Sequence, residues 1–148
     1  MRFVAASDHA GLNLRRHLVE RLRAAGHEVV ELGIHTSTST DYPDWAAQVA
    51  RAVGAAEADR GLLVCGTGQG MAMTANRFPG VRAALAHDVF SARATRAHND
   101  ANVLCLGERV IGTGAADLVL DAFVETPFEG GRHAGRIAKI ASYDKERP

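Results

Sequence analysis

The sequence predicts an α/β protein, a three-layer α/β/α arrangement around a doubly wound, five-stranded parallel sheet with a further helix at the C-terminus. Three observations predict it. Short apolar or β-branched runs alternate with longer segments of helical period from one end of the chain to the other. Strands that alternate with helices need crossover connections, and these make the strands parallel. The length of 148 residues fits one domain, residues 1–148, and five strands in a domain of that size match a flavodoxin-like or Rossmann-like order.

The elements follow in order. Phe3–Ser7 reads as the first strand. Leu14, Leu18 and Leu22 then recur at helical spacing, with Arg15, Arg16, Arg21 and Arg23 facing away from them. Glu28–Leu32 is the second strand, and residues 35–40 form a polar loop. Pro43 opens a second helix through Trp45, Val49 and Val53. Gly61–Cys65 is the third strand, followed by a glycine loop and a short helical segment at Ala72–Asn76. Arg82–Leu85 is the fourth strand; Asn99 or Asp100 ends the helix after it, and Asn102–Leu106 is the fifth. Leu118, Val119 and Ala122 mark the buried side of the next helix. Gly130 and Gly131 precede a last helix whose apolar side carries Ile137, Ile140 and Ala141.

Composition narrows the function. Lysine plus arginine and aspartate plus glutamate number 17 each, a formal net charge of +0, so neither a nucleic-acid nor a membrane surface is expected. No apolar run approaches the roughly 20 residues of a membrane helix, and the first residues lack a secretion signal. The two cysteines, Cys65 and Cys105, have no metal-type spacing, which points to a reduced, cytoplasmic protein without a metal site.

In doubly wound sheets ligands bind beyond the carboxyl ends of the strands, where the strand order reverses. Chemistry is therefore expected after the first and third strands. After the third stands Cys65-Gly66-Thr67-Gly68-Gln69-Gly70-Met71. Alternate glycines let backbone N–H groups approach negative charge, favour a thiolate at Cys65 and can stabilise an oxyanion. The same residues read equally well as a tight turn with a small buried cysteine. Neither a Lys-Ser nor a Lys-Thr pair follows, which excludes a nucleotide P-loop. The G-x-G-x-G spacing argues against a dinucleotide site despite Asp88 at a suitable distance, and Met71 and Met73 stand where a cysteine phosphatase would want arginine.

After the first strand come Ser7-Asp8-His9-Ala10-Gly11. Asp8 and His9 could move protons or hold sugar hydroxyls, although Asp8 taken alone reads first as a helix cap. Arg132 and Arg136, four apart on one helix face beside His133, could clamp a phosphate. Taken alone, that cluster and the run Arg93, Arg96, His98, Asn99 read first as solvated helix faces.

SDHAG, DYPDWA, CGTGQGM, ANRFPGVRAAL, ARATRAHNDANVL and FEGGRHAGRI occur in this order. Together they resemble ribose-5-phosphate isomerase of type B, a family that includes the galactose-6-phosphate isomerase subunits, over nearly the whole chain. The resemblance implies a cofactor-free aldose–ketose isomerase of a sugar phosphate, interconverting ribose 5-phosphate and ribulose 5-phosphate through an enediolate. Cys65 would be the base between C2 and C1, and Gly66, Gly68 and Gly70 would line the anion hole with Thr67 assisting. His98 would protonate the ring oxygen, with Asp8 at the anomeric hydroxyl. His9, Arg132 and Arg136 would hold the phosphate, Tyr42 would line the site, and Asn99 and Arg109 would add substrate contacts. The resemblance further implies a homodimer with shared active sites, into which His98, Asn99 and Arg109 reach from the neighbouring subunit, and in some members a tetramer. A glutamate that some members carry at the position of Met71 is absent, which places this chain with the cysteine type. Gln69 stands where an apolar residue or asparagine is common, and it bears on whether the sugar has five, six or four carbons. A non-catalytic phosphate-ligand sensor on the same fold is the alternative from another class.

Overall fold

Residues 1–146 are described in a computed structural model, and they alternate strand and helix as the periodicity predicts. The strands are β1 (Arg2–Ser7), β2 (Glu28–Glu31), β3 (Arg60–Cys65), β4 (Ala83–Leu85) and β5 (Val103–Gly107). The helices are α1 (Leu12–Ala24), α2 (Tyr42–Gly54), α3 (Gln69–Ala75), α4 (Val89–Asn99), α5 (Thr113–Glu125) and α6 (Arg132–Ser142). Single 3₁₀ turns lie at His9–Gly11 and Tyr143–Glu146. No helix among the described residues is long and apolar enough to cross a membrane.

All strand pairs are parallel, in the order β2-β1-β3-β5-β4. The order reverses between β1 and β3, as expected for a doubly wound sheet. At the other end it departs from both the flavodoxin-like and the Rossmann-like order, because β5 lies inside β4. Burial explains the exchange. β5 is a continuous apolar run buried at every residue, whereas β4 has three residues, all partly or fully exposed. The first suits an interior strand covered on both faces, and the second suits an edge.

Each face of the sheet carries its own core. Leu14, Leu18 and Leu22 of α1 pack with Leu62, Leu104 and Val119, Leu120 and Phe123 of α5 on one side. Val49 and Val53 of α2 and Met71 of α3 pack with Val4, Leu63 and Cys105 on the other. Two expectations need correction. Leu118 is 59% exposed, because the buried stripe of α5 runs through Ala116, Val119, Leu120 and Phe123, which leaves Leu118 on the outer side. Arg15 does not face away but is fully buried. Its Nη1 donates to the carbonyl of Leu32 at 2.7 Å and its Nη2 to that of Ile34 at 2.9 Å. The chain leaving β2 has no strand to accept from there, and the guanidinium supplies the missing donors.

The last helix, α6, touches the body mainly through α4. Its apolar side stays largely open, with Ile140 52% exposed.

Candidate active site

β1, β3 and β5 are neighbours in the sheet, so their carboxyl ends and the turns after them meet at one edge. Cys65 is the last residue of β3 and only 5% exposed, and its Sγ accepts the Gly68 N–H at 3.1 Å. Gly68 has φ +77, and a Cβ there would lie 2.6 Å from Leu85 Cδ1 and 2.9 Å from the Leu106 carbonyl. Only glycine fits that left-handed turn, and the turn is what aims the amide at sulfur. Thr67 Oγ1 accepts the Gln69 N–H at 3.4 Å, and both side chains sit at the exposed rim. The Tyr42 ring lies over the loop: a Cβ on Gly70 would stand 2.4 Å from its Cε2 and Cζ. Arg109 flanks the other side, with Nη1 3.4 Å from where a Cβ on Gly66 would be.

The β1 turn closes the site. Asp8, 6% exposed, accepts the Ala10 N–H at 2.9 Å, so it does cap the short helical turn as its residue type suggests. Gly11 presses this turn against the end of β3, where a Cβ would stand 2.5 Å from the carbonyl of Val64. His9 Nδ1 accepts the Thr40 N–H at 3.3 Å, and Thr40 Oγ1 accepts Trp45 Nε1–H at 3.0 Å, which ties the polar loop back to the site.

Two residues of this edge carry no signal in the sequence. Glu108 accepts the Leu14 N–H at 2.9 Å and the Asn13 amide at 3.2 Å, while its own N–H donates to the Cys65 carbonyl at 2.9 Å. One carboxylate at the end of β5 thus holds the first turn of α1, where negative charge is favoured, against the Cys65 strand. His87 Nε2 accepts the Gly107 N–H at 2.9 Å. Partners separated by 94 and 20 residues leave no local pattern to read.

The remaining candidates gather at the opposite edge. His98 and Asn99 end α4, next to the start of β4, where Arg82 Nε donates to the carbonyls of Asn99 at 3.1 Å and Asp100 at 2.9 Å. Arg132 and Arg136 are exposed on α6, whose first turn packs there through the stacking of His133 on His98. A strand of five or six residues spans roughly 15–20 Å, so this group cannot reach the Cys65 of its own chain. Asp8, His9, Tyr42, Cys65, Gly66, Thr67, Gly68, Gln69, Gly70 and Arg109 therefore form one cluster, and His98, Asn99, Arg132 and Arg136 form another. Within one chain Arg109 stands against the glycine loop, and Arg132 and Arg136 lie beside His98 and His133 and apart from His9.

The cysteines differ in setting. Cys105 is fully buried, and burial, reinforced by Cys65, pushes its thiol well up; it is a packing residue. Among the imidazoles, burial pushes His27, His87 and His133 below the ordinary 6.5, helped at His27 by the N-terminal ammonium and Arg60 and at His133 by His98, Arg132 and Arg136. The unfolded chain takes protons at these positions near 6.5, whereas the folded chain resists them. Stability is therefore expected to be full above about pH 7 and to decline as pH falls toward about 5. Calorimetric melting at pH 7.5 and 5.5 checks this, and the drop should shrink in His27→Gln. A melting temperature that rises on acidification would contradict it.

Comparison with known proteins agrees with this geometry. The profile of the family described as Ribose/Galactose Isomerase matches residues 3–140. Ribose-5-phosphate isomerase B of Escherichia coli (strain K12) is 43% identical over 140 residues, covering 95% of this chain and 94% of that protein. The solved structure of Clostridium thermocellum ribose-5-phosphate isomerase B superposes with a TM-score of 0.97 at 45% identity, over 99% of each chain. That of Mycoplasma genitalium ribose-5-phosphate isomerase B with bound ribulose-5-phosphate does so with a TM-score of 0.94 at 42% identity, over 99% of this chain and 97% of the other. With the family profile, the relatives' sequences and the solved folds in agreement, this chain belongs to the ribose/galactose isomerase family.

Proposed function

We propose that the chain interconverts ribose 5-phosphate and ribulose 5-phosphate by proton transfer through an enediolate, in a homodimer whose two sites are shared. The observation that carries the reading is the Cys65 sulfur, nearly buried and held 3.1 Å from a backbone amide inside a loop of glycines. A thiolate there accepts the C2 proton and returns it to C1, while loop N–H groups face the oxygen that gains charge between those events. Ring opening precedes this step. His98 gives a proton to the ring oxygen, Asp8 takes the proton of the anomeric hydroxyl, the bond from C1 to the ring oxygen breaks and the C1 carbonyl forms. His9 and Arg109 hold the phosphate from the Cys65 side, Arg132 and Arg136 hold it from the His98 side, and Asn99 and Tyr42 line the cleft.

The separation of the two clusters supports sharing: a second copy would bring His98, Asn99, Arg132 and Arg136 to Cys65. The rim of the Cys65 edge suits such a contact. Leu85, Phe90 and Val110 are exposed around it, Phe90 by 80%, and apolar surface gathered beside a polar site is typical of an interface. The substrate is carried over from the relatives' activity, and Gln69 on the rim is where a longer sugar would be felt.

The test is proton NMR of ribose 5-phosphate with EDTA-treated protein in deuterated water. Ribulose 5-phosphate carrying deuterium at C1 is the expected product. Conversion only of six-carbon or four-carbon aldose phosphates would move the substrate, and conversion of none would refute the isomerase reading.

A further inference from the structure

Beside the His98 cluster lies a group that the proposed reaction leaves unused. His133, in the first turn of α6, is 6% exposed and stacks on His98 with ring centroids 4.5 Å apart and planes 11° from parallel. Glu129 Oε2 lies 3.8 Å from His98 Nε2 and 3.7 Å from His133 Nε2. The arrangement is built by the backbone. The Glu129 N–H donates to the Ala97 carbonyl at 3.0 Å, and Gly130 and Gly131, with φ of +65 and +53, turn the chain so that α6 begins over the end of α4.

Two histidines and a glutamate also make a familiar zinc set, and their ligand atoms lie within 4.8 Å of one another. The stacking argues against that use. A metal lies in the plane of each imidazole it binds, and two nearly parallel rings 4.5 Å apart share no such point. Charge favours a different division of labour. The groups facing His133 are His98, Arg132, Arg136 and Glu129; burial and the first three disfavour its charged form, and only the carboxylate opposes them. The buried ring is thus placed as a packing plate, while the side chain of His98 remains 45% exposed toward solvent and carries the chemistry.

We infer that His133 and Glu129 are positioning residues for His98, the stacked ring fixing its plane and the carboxylate fixing the direction in which its Nε2 points during ring opening. The inference rests on the isomerase reading, and its test separates the two. Ribulose 5-phosphate has no ring to open, so exchange of its C1 proton with deuterated water reports the Cys65 step alone. Net conversion of ribose 5-phosphate needs ring opening as well.

In His133→Ala, kcat from ribose 5-phosphate should fall by about tenfold to a hundredfold, the scale of a misplaced catalytic group, with KM changed far less and C1 exchange reduced far less. His133→Phe, which keeps a flat ring against His98, should recover most of the loss. Glu129→Ala should lower the same kcat with C1 exchange reduced far less, and Glu129→Gln, which keeps an oxygen facing both rings, should recover part of the loss. Equal loss of conversion and exchange in His133→Ala, no rescue by phenylalanine, or an undiminished kcat in Glu129→Ala would each overturn the inference. Absence of both reactions in the unmodified protein would instead refute the isomerase reading.

Discussion

Cys65→Ala will reduce conversion of ribose 5-phosphate by about 10³–10⁴-fold, the upper range for removal of a general base, while leaving its binding within a few-fold. The difference arises because the sulfur acts on one proton at C2, whereas affinity comes from phosphate contacts remote from it. The fold should tolerate the change: Cys65 ends its strand, and its Sγ makes one local bond, to Gly68. Cys105→Ala is the matched control. It removes the other thiol from the same core and should alter stability without altering kcat. Steady-state kinetics and calorimetric titration with ribose 5-phosphate decide the matter. Undiminished kcat in Cys65→Ala would assign the proton transfer to another group.

Mixing two dead variants will restore activity. Cys65→Ala and His98→Ala, each inactive alone, should give about one quarter of the unmodified activity once they exchange subunits in equal amounts, because half of the dimers are then mixed and each mixed dimer holds one intact site by symmetry. α4 runs against the strands and ends where they begin, so His98 and Cys65 lie at opposite edges of one sheet. A monomer carries both residues and cannot bring them together. Native mass spectrometry of differentially labelled chains verifies the exchange, and exchange without recovered activity would show that each site draws on one chain.

The sequence carries the elements more fully than their arrangement. Strand limits follow from apolar runs to within a residue or two, as at Ala83–Leu85 against the expected Arg82–Leu85, because an apolar run is a local property. The placing of β5 inside β4 depends on which strand is better buried, a comparison across 20 residues. Helical spacing identified the core side of α1 through Leu14, Leu18 and Leu22, but not Arg15, whose burial is justified only by two carbonyls beyond β2. Motif spacing located Cys65, Asp8 and the glycines. It could not tell which candidates share an edge, because that depends on how the turns after β3 and β5 meet, as where Arg109 stands against Gly66.

The turn after β5 has a consequence for how this chain can change in length. Glu108 and Arg109 donate their N–H groups to the carbonyls of Cys65 and Gly66 at 2.9 and 3.1 Å, and a Cβ on Gly107 would stand 2.6 Å from the backbone of Thr67. The loops after β3 and β5 are therefore laced residue against residue. An insertion or deletion in either would slip the lacing and carry Arg109 away from Gly66, even with every side chain of the site retained. The Gly26 turn between α1 and β2 has nothing within 4 Å of where a side chain would begin. Added residues can loop outward there into solvent. Drift in length should thus be absorbed at that turn, while the spacing from Cys65 to Arg109 stays as it is.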